Sequence, residues 1–176
     1  MILKHPNSAR MDGGDMRMQQ IIQVLAGKHI EQARALLSEY ASSLDVSLSQ
    51  QNFESELSNL PGEYSPPKGA FFIALENEQL VGCVAIRPLA DDICELKRLY
   101  VRPRHRRKGI GTSLVQAAID KANKIGYTRL RLGTLRTLKE ALSIYRFLEF
   151  SEILPYKPTQ FSDAVFMELL LHGTQA

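Results

Sequence analysis

No apolar run in this chain approaches the ~20 residues that a helix needs to cross a bilayer, which argues against membrane insertion. The amino-terminal stretch MILKHPNSARMDGGDMRMQQ also lacks an apolar segment and a small-residue cleavage site. No secretory signal is therefore expected, and the cytoplasm is the expected compartment. Cysteine is scarce: Cys83 and Cys94 are the only two in 176 residues, and neither has His or Cys neighbours at metal-ligand spacing. Both sit in apolar, strand-like runs and read as small buried hydrophobes. Acidic residues are missing altogether between Lys97 and Lys108, a segment that holds seven Lys or Arg although the formal net charge of the chain is only +3. The rest of the chain is thus net acidic, and the local excess points to a specific anion site more than to a generally basic surface.

What is present is the patterning of one domain, expected over residues 20–176, preceded by a polar, flexible extension at 1–19 that includes MDGGD. IIQVLA (21–26) reads as a short strand, and HIEQARALLSEYASSL as a helix with Ile30, Ala33, Leu36, Leu37 and Tyr40 on one face. SQQNFESELSNL (49–60) repeats the helical spacing and PGEYSPPKG stops it. AFFIALENEQLVGCVAIRPL reads as a hairpin, DDICELKRLYVRP as a third strand ended by Pro103. A helix follows, capped by Thr112 or Ser113, with the stripe Leu114, Val115, Ala118, Ile119, Ala122 and Ile125, and Gly126 as its C-cap. A strand at 128–134, a helix at 138–150 and a closing strand at 163–171 complete the order. The fold class is mixed α/β, with helices on both faces of the sheet. Phe71, Phe72, Phe147, Phe150 and Phe166 are expected in the core.

The chemistry concentrates in RHRRKGIGTS, between the third strand and a helix. The first N–H groups of a helix have no internal partner and the dipole is positive there. Gly109 and Gly111 let an anion approach the backbone, and Arg106, Arg107 and Lys108 supply charge. Neither G-x-x-x-x-G-K-[ST] nor a third glycine is present, so the ordinary mononucleotide and dinucleotide loops are not matched. A phosphate loop and a plain turn both remain open at this point.

Two segments in order carry a resemblance to a known family. Arg106-x-x-Gly109-x-Gly111 resembles the [RQ]-x-x-G-x-[GA] signature of the GNAT N-acetyltransferases, and ALSIYRFLEF is similar to their A-x-x-[LI]-Y-x-x-x-G-F segment at Ala141, Ile144, Tyr145 and Phe150. Glu149 replaces the glycine of that second pattern, and Leu138 stands where many relatives carry an asparagine that helps hold the cofactor. The resemblance spans roughly Ala70 to Leu171 and implies a GNAT fold, with a mostly antiparallel twisted sheet of six to seven strands. It implies acetyl-CoA as cofactor, with the amides from Arg107 through Ile110 and Gly111 to Thr112 around the pyrophosphate. Leu99, Tyr100 and Val101 would run beside the pantetheine arm, and nearby Arg or Lys would reach the 3′-phosphate. It further implies Tyr145 as proton donor to the departing thiolate, Glu95 as a base for the acceptor amine and a backbone N–H near Leu99 for the oxyanion. The acceptor would be a small-molecule amine or a peptide, and because many relatives pair, a homodimer is a further expectation of the resemblance.

Other readings stand beside these. Glu95 is also placed to be a structural partner of Lys97 or Arg98, and Tyr145 to be core. His105, between arginines, reads as a solvated surface residue; Tyr64 and Tyr156 read either as acceptor-pocket walls or as loop anchors. A nucleic-acid-binding module would spread its basic residues over a broad face with aromatics for stacking, whereas here they are confined to one strand and loop. A non-catalytic acyl-CoA sensor would keep the loop but has no need of Glu95 and Tyr145 together.

Overall fold

The computed structural model describes residues 18–44 and 50–172. The expected extension at 1–19 lies outside them except for Met18 and Gln19, and Gln19 already opens the first strand. Seven strands, β1 (Gln19–Gln23), β2 (Ala70–Glu76), β3 (Gln79–Ala90), β4 (Ile93–Val101), β5 (Arg129–Leu135), β6 (Ser151–Ile153) and β7 (Ala164–Leu170), form one sheet in the order β1-β2-β3-β4-β5-β7-β6. Every pairing is antiparallel except β4 with β5. The helices are α1 (Lys28–Ser43), α2 (Gln50–Ser58), α3 (Ile110–Ile125) and α4 (Lys139–Phe147). A parallel neighbour needs a crossover, and α3 supplies it between β4 and β5.

Strand alternation splits the core into two layers. Phe72, Ala74, Val84, Ile86, Cys94 and Leu96 face α3 and α4. Phe71, Ile73, Cys83, Ala85 and Tyr100 face α1, where Ala33, Leu36 and Leu37 close over them. Both thiols are fully buried and free, and burial pushes that of Cys94 up to about 12.

Gly109 is left-handed (φ 80°) and precedes the first helical residue of α3, Ile110. The helix therefore begins three or four residues earlier than a Thr112 or Ser113 cap requires, because a left-handed glycine turns the chain directly into the helix without a side-chain cap. Gly126 (φ 103°) ends it as expected, its N–H reaching Ala122 O at 3.2 Å.

Three other expectations are corrected. Ser151–Ile153 forms the short edge strand β6, where the pattern predicts only a connection. Phe147 is 75% exposed: it occupies the outer side of α4, while Leu142 and Tyr145 take the inner one. His105 is not solvated, since its Nδ1 lies 2.7 Å from Glu76 Oε2 and only 20% of the side chain is accessible.

Glu149, in place of the pattern's glycine, adopts φ 68° as α4 ends, with Phe150 N–H bonding back to Tyr145 O at 3.0 Å. A non-glycine residue there is strained by about 1 kcal/mol. Glu149→Gly is expected to raise unfolding free energy by roughly 0.5–1 kcal/mol, the relief being partly offset by a freer unfolded chain; chemical denaturation at pH 7 checks it, and a loss of stability would contradict the strain.

Candidate active site

β4 and β5 pair only through Ile93–Arg129, Cys94–Leu130 and Glu95–Arg131. Beyond Glu95 the strands part, and residues 95–99 of β4 face 133–135 of β5 across a cleft of about 700 Å3. Tyr145, Ala141 and Phe166 also line it, together with the segment from Lys157 to Phe161. A second cleft of about 680 Å3 runs along Leu99 to Val101 to the start of α3. Tyr40, Leu44, Leu99, Leu138 and Ala141 border both, so the two adjoin as one channel.

The parting of the strands has a local cause. Against β3, Cys83 pairs with Tyr100 and Ala85 with Lys97, which leaves one extra residue on β4. This is a β-bulge, and it bends the strand away from its neighbour. Arg98 sits in it at φ 62°, an unfavourable conformation for a side chain of that size. Its guanidinium donates two hydrogen bonds to Glu56, from Nε (2.9 Å) and NH2 (2.7 Å), and lies over the rings of Tyr40 and Phe53. Glu56 also accepts from the hydroxyl of Tyr64 at 2.6 Å, so Tyr64 is a packed anchor of this clamp, not a wall of the channel.

At the α3 end, the first helical bond is Ser113 N–H to Gly109 O at 3.0 Å; from Arg107 through Thr112 no backbone N–H bonds to a backbone carbonyl among the described residues. Arg107 (φ 59°) and Gly109 (φ 80°) shape this run into a concave row of donors. Of the residues expected here, Leu99, Tyr100, Val101, Arg106, Arg107, Gly109, Gly111 and Thr112 line the cleft. Lys108 is turned aside toward Glu76 (3.6 Å) and Ile110 is buried in the core, leaving each only its backbone to offer. Thr137, Lys139, Glu140 and Ser143 of the α4 end border the cleft as well, a contribution that no motif signalled.

Much of the basic run is neutralised. Arg98 is held by Glu56, Arg102 by Glu39, His105 and Lys108 by Glu76, and Arg107 by Glu140 at 3.3 Å. These pairings run against a broad phosphate-binding face.

At the other end, Glu95 is 1% exposed. Its Oε1 accepts from the Tyr156 hydroxyl (2.8 Å) and from Lys157, and its Oε2 accepts from Arg87 Nε (3.0 Å) and lies 2.9 Å from NH2 of the same guanidinium as an ion pair. Burial opposes its charge, but the Lys157 ammonium, the nearby Lys97 and Tyr156 outweigh that and hold the carboxyl at about 2. The partners are therefore Arg87, Tyr156 and Lys157, neither of the two that adjacency in sequence suggests. The Tyr145 ring packs tilted at 58° against that of Phe150, centroids 5.6 Å apart, and its hydroxyl makes no hydrogen bond to a described residue. Burial raises its pKa, which keeps the phenol protonated. Among the described residues no cluster of His, Cys, Asp or Glu could hold a metal ion, and no helix is long and apolar enough to cross a membrane.

Because Glu95 ionises below the ordinary carboxylate value of 4.5, its contribution to stability is complete above pH 4.5 and is lost as pH falls toward 2. Glu95→Gln is expected to cost about 3 kcal/mol at pH 7, leaving Lys157 without its counter-charge and Arg87 with Glu63 alone. Urea unfolding of both proteins at several pH values checks this: the gap should narrow steadily between pH 4.5 and 2, and a constant gap would refute the ionic origin.

The model of the Acetyltransferase (GNAT) family matches residues 30–150. An uncharacterized N-acetyltransferase of Schizosaccharomyces pombe is 35% identical over 142 residues, covering 80% of this chain and 87% of its own. Among solved structures, an acetyltransferase from Streptococcus agalactiae superposes with a TM-score of 0.70 at 24% identity, covering 87% of this chain and 98% of that one. The PaiA N-acetyltransferase of Thermoplasma acidophilum, solved in complex with coenzyme A, does so with a TM-score of 0.65 at 20% identity, covering 86% and 98%. With the glycine loop, the parted strands and the tyrosine of α4 in one channel, and this match across its length, the chain belongs to the GNAT acetyltransferase family.

Proposed function

We propose that this protein transfers an acetyl group from acetyl-CoA to a primary amine of a small molecule or peptide, by direct attack within a ternary complex. One observation carries the reading: a single channel joins a row of unpaired backbone donors at the start of α3 to the Tyr145 hydroxyl where β4 and β5 part. The first end suits a pyrophosphate, the second a thioester, and the coenzyme A complex of the PaiA relative supports that match. Acetyl-CoA supplies the activated acyl group; the chain supplies position and protons.

The backbone from Leu99 to Val101, on the stretch of β4 without a β5 partner, holds the pantetheine arm, and the Leu99 N–H is assigned to the developing oxyanion. As the amine nitrogen bonds to the acyl carbon and the carbon–sulfur bond breaks, Tyr145 gives its proton to the sulfur and regains one from the solvent-filled channel. The proton shed by the amine leaves to water. Glu95 is assigned a positioning role: a carboxylate held at about 2, already accepting on both oxygens, is a poor proton acceptor at neutral pH. It fixes Lys157, which lines the cleft, and Tyr156 next to it in the chain.

Millimolar CoA is expected to raise the melting temperature, with duplex DNA leaving it unmoved; the reverse pattern would sink the acetyltransferase reading. Tyr145→Phe should retain the CoA-induced rise while kcat falls by about 100-fold. Thiol release measured with a screened acceptor decides, and full activity in that variant would remove Tyr145 from the proton-donor role.

A further inference from the structure

The charged side chains lining the wedge between β4 and β5 are Glu95, Lys97, Arg98 and Lys157. Three of them are already engaged. Glu95 accepts from Arg87, Tyr156 and Lys157 on both oxygens; Arg98 places its fork on Glu56; Lys157 is committed to Glu95. Lys97 alone of the four makes no hydrogen bond or ion pair with any described residue. It lies opposite Ala85, whose side chain belongs to the layer under α1, so Lys97 projects from the same side of the sheet. Burial, reinforced by the neighbouring Arg98 and only partly offset by the Glu95 carboxylate, lowers its pKa to about 8. Thr134, Thr159 and Gln160 add neutral hydrogen-bonding groups to the same cleft.

We propose that the acceptor is an amine that also carries a carboxylate, of the amino-acid class, and that Lys97 binds that carboxylate. This rests on the acetyltransferase reading and narrows it. A carboxylate gives a direct partner to the one charged group of the cleft that has none among the described residues, and it is drawn in by the surrounding excess of cations. A diamine or polyamine meets the opposite situation: its second ammonium faces Lys97, and the carboxylate that would welcome it is saturated by three donors. The acceptor's amine then projects deeper, toward Tyr145 and the thioester.

The test uses the full chain with acetyl-CoA and reads free thiol. Each of the common amino acids is compared with its own α-amide, with 1,4-diaminobutane alongside. For the best acceptor the free acid should exceed its amide at least tenfold in kcat/KM. Lys97→Met should collapse that ratio to within twofold while keeping the CoA-induced rise in melting temperature, and Lys97→Arg should preserve most of it. Equal use of acid and amide by the unaltered protein overturns the proposal without any variant, as does an acid preference that survives in Lys97→Met. Turnover of the diamine in preference to every amino acid overturns it while leaving the acetyltransferase reading intact. Thiol release from none of these amines, together with a melting temperature indifferent to CoA, overturns both.

Discussion

Parallel strands β4 and β5 share three residue pairs and then separate, and the channel exists because of that limit. Continued pairing would fill the wedge with backbone hydrogen bonds and leave no strand edge for a ligand. The separation is maintained from both sides. A bulge bends β4, and the glycine at position 133 leaves β5 without a side chain where it borders the gap; there a Cβ would crowd Phe166 at 3.3 Å. The bulge in turn depends on Arg98, whose left-handed backbone is held by the Glu56 carboxylate and two aromatic faces. An ion pair between α2 and β4 thus sets the shape of a site that neither Glu56 nor α2 lines.

Electrostatics divides the labour along the channel. At the α3 end the side-chain cations are largely spent on Glu39, Glu76 and Glu140, so the offer to an anion comes mainly from oriented amides. At the wedge end a buried carboxylate is ringed by cations that outnumber it. Buried ion pairs of this kind gain little net stability but are costly to break singly, which fits groups that fix geometry.

Features with a local signature were legible from the sequence: the apolar stripe of α3, its Gly126 terminus, the β2–β3 hairpin and the glycine loop with its strand and helix neighbours. Tyr145 was legible too, since helical spacing alone turns it inward with Leu142. What escaped depends on contacts between distant positions. Lys157 and Tyr156 meet Glu95 across some sixty residues, and Arg87 reaches it only because β3 and β4 pair in that register. His105 found Glu76 at the end of β2 for the same reason. The edge strand β6 is three residues with two exposed side chains, too short for alternation to speak. Phe147 departs from its expected burial because its place on the outer face of α4 decides its exposure and its aromatic character does not.

α3 is buried along most of its length, from Ile110 through Leu114 and Ala118 to Ala122, and the residue after its C-cap, Tyr127, anchors by its hydroxyl to Lys68 O at 2.7 Å. The row of donors at its head is therefore the exposed tip of a member set deep in the core. Such a site surrenders little conformational entropy when an anion arrives. Occupancy by an anion is then governed by encounter and escape and not by the ordering of a loop, so a bound anion can exchange quickly without the protein rearranging to receive it.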